Sequence, residues 1–171
     1  MRCRLWPLAA VSLFAVVMNA QADNVPRLGP DSHEPVPRFV SLRTQGANGR
    51  HGPGLEHKVD WIYQRQGLPL EVTAESGRWR RVRDPDGAET WMIANNLDDH
   101  RTAFVKADQD VALRDAPRPE AHAQAWLAPG VVGNVTGCQG QWRRVAVGGR
   151  VGWVEKSALW GADDACPSDS H

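Results

Sequence analysis

Apolar and polar residues alternate in short runs along most of the chain, and the runs end at glycine, proline or aspartate. Leu68, Leu70, Val72 and Ala74 share one phase of such a run, with Glu71, Thr73 and Glu75 in the other. Val131, Gly133, Val135 and Gly137 repeat that phase further on. A period of two predicts strands with one buried face. Phe39-Val40-Ser41-Leu42 predicts a first strand on the same grounds. Turn signals return at roughly 8–12-residue spacing, which predicts a small antiparallel barrel or sandwich. Helical periodicity is absent after the first 22 residues.

The pattern occurs twice. Gly67 to Trp91 reads GLPLEVTAESGRWRRVRDPDGAETW, and Gly130 to Trp153 reads GVVGNVTGCQGQWRRVAVGGRVGW. A shift of 63 positions superposes Val72 on Val135, Thr73 on Thr136, and Trp79-Arg80-Arg81-Val82 on Trp142-Arg143-Arg144-Val145. Trp91 meets Trp153 after a shift of 62, so one residue is missing between them. The deficit falls where Asp84-Pro85-Asp86-Gly87 gives way to Gly148-Gly149. Related hairpins tolerate such a change in their turn. Upstream, Arg50 falls opposite Arg114, Pro53 opposite Pro117, and Tyr63 is aligned with Trp126. The expected architecture is therefore all-β, two tandem units of about 60 residues, each marginal alone.

The first 22 residues stand apart. Arg2 and Arg4 precede an apolar run from Leu5 to Met18, and Ala20-Gln21-Ala22 is an A-x-A signal. This predicts a secretory leader cut after Ala22 and a periplasmic or secreted protein. The alternative, an uncleaved anchor, needs roughly 20 apolar residues, and the run is shorter. Stable membrane insertion is not expected. The chain has 20 basic and 20 acidic residues, and loss of Arg2 and Arg4 leaves a net charge of about −2. That balance argues against a nucleic-acid binder. Residues 23–38 carry Pro26, Pro30, Pro35 and Pro37 without periodicity and read as an extended linker. Cys138 and Cys166 remain after the leader. Cys138 takes the position of Glu75, in the phase expected to face solvent. An exported chain favours a disulfide between it and the tail cysteine, the alternative being two free thiols.

The ordered set Asn48-Gly49-Arg50, Gly52-Pro53-Gly54, Gly67-Leu68-Pro69, Trp79-Arg80, Asp86-Gly87 to Trp91, and a polar step ending in Leu97 resembles bacterial SH3-like domains. The resemblance is strongest to tandem forms in exported proteins and covers roughly residues 39–160. It implies two small SH3-like β-barrels with short 3₁₀ turns. The expected division is leader 1–22, proline-rich linker 23–38, first repeat 39–104, second repeat 105–161 and polar tail 162–171. Arg101 to Val105 closes the first copy in this reading, although Phe104-Val105 also echoes Phe39-Val40. The family implies a non-catalytic module that binds peptidoglycan or its peptides. Three departures stand out: Gly49 and His51 replace an apolar residue and a serine, Thr90 replaces a glycine, and copy two lacks the G-P-G loop.

Trp61, Tyr63, Arg50, His51 and Trp126 are the candidate ligand residues, because loop-end aromatics can line a shallow groove. They could equally cover the barrel ends or the seam between repeats. Trp79, Trp91, Trp142 and Trp153 hold equivalent positions and are expected in core or semi-core roles. Val82 is three residues beyond Trp79, so either a bulge intervenes or Trp79 caps the preceding turn. Arg78, Arg80, Arg81 and Arg83 could meet peptide carboxylates, or pair with Glu71, Glu75 and Glu89. His51, Glu56 and His57 could hold a metal, but a flexible-loop trio is ordinarily solvated. No nucleophile–base motif is present, so neither catalysis nor a cofactor is expected. The expected partner is peptidoglycan or a peptide, with an envelope protein as the alternative.

Overall fold

A computed structural model describes residues 27–162. The leader, residues 23–26 and residues 163–171 with Cys166 lie outside the described residues. Two seven-stranded antiparallel sheets follow a short hairpin. The hairpin is β1 (Arg27–Leu28) and β2 (Pro35–Val36). The first sheet comprises β3 (Arg38–Leu42), β4 (Ala47–Arg50), β5 (Val59–Tyr63), β6 (Pro69–Ser76), β7 (Trp79–Arg83), β8 (Glu89–Ile93) and β9 (Leu97–Asp98). The second comprises β10 (Thr102–Val105), β11 (Val111–Arg114), β12 (Ala123–Leu127), β13 (Val132–Gln139), β14 (Trp142–Val147), β15 (Arg150–Glu155) and β16 (Leu159–Trp160). Their strand orders are β5-β4-β8-β7-β6-β3-β9 and β12-β11-β15-β14-β13-β10-β16, the same topology twice. A 3₁₀ turn precedes the last strand of each, at Ala94–Asn96 and Lys156–Ala158. No helix among the described residues is long and apolar enough to cross a membrane.

Alternation builds the two cores. In repeat one, Leu70 and Val72 from β6, Val82 from β7 and Met92 from β8 are fully buried around Val40, Leu42 and Leu97. In repeat two, Leu113, Val145 and Val154 take the central places, with Val105 and Leu159 beside them. Both β6 and β13 carry a bulge, at Thr73 and Thr136. Each bulge hydroxyl donates to the facing carbonyl, Thr73 to Arg81 at 3.4 Å and Thr136 to Arg144 at 3.3 Å. The indel falls in the expected turn. β14 and β15 pair up to Val147 and Arg150 across Gly148-Gly149, and both glycines have the positive φ that a two-residue hairpin turn requires.

Several expectations change. β10 pairs with β13 and β16, so Thr102 to Val105 opens repeat two instead of closing repeat one. The division falls between Asp98 and Thr102, because β10 takes the place that β3 holds in the first sheet. Residues 27–38 are not a plain extended linker: the β1–β2 hairpin folds onto Glu75. The Thr73 bulge brings Glu75 opposite Arg80, on the face of Val82 and not in the solvent-facing phase expected of it, and its side chain is wholly covered where the hairpin folds onto it. The tryptophans surround the cores without joining them. Trp79 is buried, and Trp91, Trp142 and Trp153 are half-buried. Within β7 the alternation is regular, so Arg80 and Val82 share the inner phase and Trp79 takes the other. Trp91 likewise alternates with the inward Thr90 and Met92.

Candidate functional site

β5 ends the first sheet. An edge strand leaves one side of its backbone uncovered. Trp61 and Ile62 on it are 57% and 56% exposed, while Tyr63 is buried. Beside this edge lies a groove of about 460 Å³. Trp61, Ile62 and Tyr63 line one side, and Asp84, Pro85 and Asp86 of the β7–β8 turn line another. Phe104 and Gly130 come from repeat two, so the groove follows the seam between repeats.

The floor is a small polar network. The Tyr63 hydroxyl donates to Asp84 Oδ2 at 3.3 Å and lies 3.3 Å from Thr90 Oγ1. Asp84 Oδ1 accepts the backbone amides of Asp86 at 3.0 Å and Ala88 at 2.9 Å, which fixes the turn. Burial pushes the Tyr63 phenol up to about 12, and the Asp84 charge adds to that, while the hydrogen bond with Thr90 opposes it.

Two cations strap the seam beside the groove. Arg65 of repeat one donates to the Gly130 carbonyl of repeat two. Lys106 of repeat two donates to the Pro85 carbonyl of repeat one at 2.7 Å. Lys106 also lies 5.2 Å from the ring centre of Trp160.

The structure brings together only part of the expected set. Trp61 and Tyr63 line the groove; Arg50, His51 and Trp126 do not. Arg50 is spent inside its own loop, donating to the carbonyls of His57 at 2.7 Å and Leu55 at 3.1 Å. His51 Nδ1 lies 3.3 Å from Asp60, and His57 lies 3.5 Å from Glu56, so the His51, Glu56 and His57 trio is split. Among the described residues no group of three metal-ligating side chains converges. Trp126 is 64% exposed on β12. It is not the counterpart of Tyr63. Ala47 pairs with Tyr63 and Val111 with Leu127, so Tyr63 corresponds to Leu127 and Trp126 to Ile62. Three of the four clustered arginines are paired internally. Arg80 pairs with Glu75 at 3.2 Å, Arg81 with Glu89, and Arg83 with Glu71 at 3.0 Å and Glu89 at 2.8 Å. Cys138 is half-buried on β13 opposite Arg143; its expected partner Cys166 lies outside the described residues.

Sequence reasoning missed Ile62, Arg65, Asp84, Phe104, Lys106 and Gly130. Asp84 carried a signal, as the first residue of a Pro-Asp-Gly turn, but that signal reads equally as turn chemistry. Ile62 reads as an ordinary strand residue between Trp61 and Tyr63, while Arg65, Phe104, Lys106 and Gly130 become neighbours only when the repeats dock, which no spacing within one repeat encodes.

The bacterial SH3 domain profile matches the chain twice, over residues 44–99 and 107–161. The chain therefore belongs to the bacterial SH3 domain family, in tandem form. Bacterial SH3 domains as a class are cell-wall binding modules. No curated protein matches the sequence. Among solved structures, NlpC2 from Trichomonas vaginalis matches at 12% identity and a TM-score of 0.33, over 72% of this chain and 48% of that one. NlpC1 from the same organism matches at 13% identity and a TM-score of 0.32, over 77% and 48%. The chain spans about half the length of these two structures.

Proposed function

We propose that this chain is an exported, non-catalytic module that binds a short peptide of the cell wall in the groove beside β5. The observation that carries the reading is the pair of exposed apolar side chains, Trp61 and Ile62, above a buried polar floor. Large apolar groups held in water beside a concave surface mark a binding site more often than packing. Asp86 and Arg65 give the lining both charge signs, which complements a peptide bearing an amine and a carboxylate. The lining contains no cysteine, serine or histidine, in keeping with binding without covalent catalysis. Export rests on the leader sequence, and the Cys138–Cys166 bridge belongs to the same proposal.

Co-sedimentation of residues 23–171 with purified sacculi tests this. Trp61 and Ile62 are exposed, so Trp61→Ala and Ile62→Ser should leave the fold intact. The expected result is binding by the parent and a loss of about tenfold or more in the double variant. A parent that stays in the supernatant, or a double variant that binds equally well, overturns the reading. An envelope-protein adaptor is the second reading, favoured by Trp126 and Val151, exposed in the second sheet and absent from the groove lining.

A further inference from the structure

The two repeats share a topology, yet the side chains that form the groove are not repeated in the second copy. The register maps Trp61 onto Ala125 and Tyr63 onto Leu127. The second position therefore loses its hydroxyl and the first its aromatic ring. Asp84 to Gly87, the turn forming one wall, is replaced by Gly148-Gly149, with no carboxylate. Thr90, the second partner of the Tyr63 hydroxyl, is replaced by Gly152. Every polar group of the floor is thus missing from the second copy.

Repeat two contributes differently. Phe104 on β10 and Gly130, just before β13, complete the lining of the repeat-one groove. Lys106 reaches back to the Pro85 carbonyl within the turn whose amides are organised by Asp84. Arg65 answers it by holding Gly130. These bonds run in opposite directions across the seam and fix two walls of the groove relative to each other.

We propose that the chain carries one peptide site, not two, and that repeat two forms part of its wall. Phe104 is a contact residue of that site, and Lys106 is a positioning residue acting through the Pro85–Gly87 turn. The tandem arrangement then serves to complete a single site and does not provide avidity. The ligand class rests on the reading of the groove as a peptide site; the composite architecture does not.

Two measurements on the mature chain separate these claims. Soluble peptidoglycan fragments released by a muramidase are titrated calorimetrically into the parent, Phe104→Ala and Val151→Ala. The expected stoichiometry is one per chain. Phe104→Ala should weaken binding about tenfold, as for loss of a central aromatic contact. Val151→Ala, in the same sheet but outside the lining, should bind like the parent. Two sites per chain, or parental affinity in Phe104→Ala, overturns the proposal. The second measurement needs no ligand: amide exchange at Asp86, Gly87 and Ala88 in Lys106→Ala. About tenfold faster exchange there, with the core amides of Leu70 and Leu113 unchanged, shows the turn held from repeat two. Parental exchange in that turn overturns the composite site even if the fragments bind. Faster exchange without fragment binding upholds the composite groove and removes the cell-wall peptide alone.

Discussion

Gly49 and Thr90 of repeat one correspond to Leu113 and Gly152 of repeat two. A Cβ on Gly49 would fall 2.5 Å from Thr90 Oγ1, and a Cβ on Gly152 would fall 2.7 Å from Leu113 Cγ. One large and one small residue therefore fill the same space in each repeat, with the roles exchanged. The two family departures in this region compensate one another. The exchange places a hydroxyl beside Tyr63, which repeat two cannot do. Tyr63 is the only tyrosine of the chain, so its ionisation can be followed by tyrosinate absorbance without interference from a second phenol. The expected midpoint is about 12, against 10 for a free phenol. A phenol raised in the folded state stabilises the fold below pH 10, and that contribution is lost as pH rises toward 12. Asp84→Asn should bring the midpoint down, since it removes the charge but keeps the size. A midpoint near 10 in the parent would show that the hydroxyl is not held in the buried network.

Glu75 is the keystone of the amino-terminal hairpin. Its carboxylate accepts from the Ser32 hydroxyl at 2.5 Å and amide at 2.9 Å, from the Asp31 amide at 3.2 Å and from Arg38 at 3.0 Å. Burial alone would raise this carboxyl, but the bonds from Ser32, Arg38 and Asp31 outweigh it and bring it down to about 2. The hairpin should stay docked above pH 4.5 and come away as pH falls from there through 2. Glu75→Gln should release it at neutral pH and lower stability by about 1.5–3 kcal/mol, the range for a lost charged hydrogen bond. Limited proteolysis between Arg27 and Arg38 reads this directly, and equal resistance at pH 7 and pH 3 would contradict it. The same element shows what the sequence could tell. Alternation located β6 and β13, but the bulges at Thr73 and Thr136 shift the phase, so Glu75 and Cys138 lie opposite Arg80 and Arg143, on the face of Val82 and Val145, and not in the outward phase that a strict period of two assigned them. It could not show that a proline-rich segment, itself without periodicity, would return to cover one of them. The Tyr63 alignment failed for a related reason. Edge strands β5 and β12 carry aromatics on either phase, so residue type misled where hydrogen-bond register decides.

At the scale of the molecule, two separate cores are joined by specific contacts across the seam. Phe39 of repeat one meets Trp160 of repeat two edge-to-face at 5.2 Å, and Lys106 lies over the same indole. Gly161 packs so closely that a side chain there would strike Pro69 at 2.7 Å and the Thr102 carbonyl at 2.8 Å. The family resemblance made each repeat legible but not this seam, because its residues become neighbours only when the two repeats dock. A unit of about 60 residues buries too little surface to be robust alone. The seam should therefore make the repeats unfold together, and calorimetry should give a single transition with calorimetric and van't Hoff enthalpies equal. Trp160→Ala removes the ring that both Phe39 and Lys106 address. The enthalpy ratio should then rise from one toward two as the repeats melt separately, with a total loss of about 3–5 kcal/mol for truncating a packed tryptophan. A parent ratio already near two would mean that the repeats are independent. A variant that loses stability but keeps a ratio of one would place the coupling in the Arg65 and Lys106 straps instead of the ring.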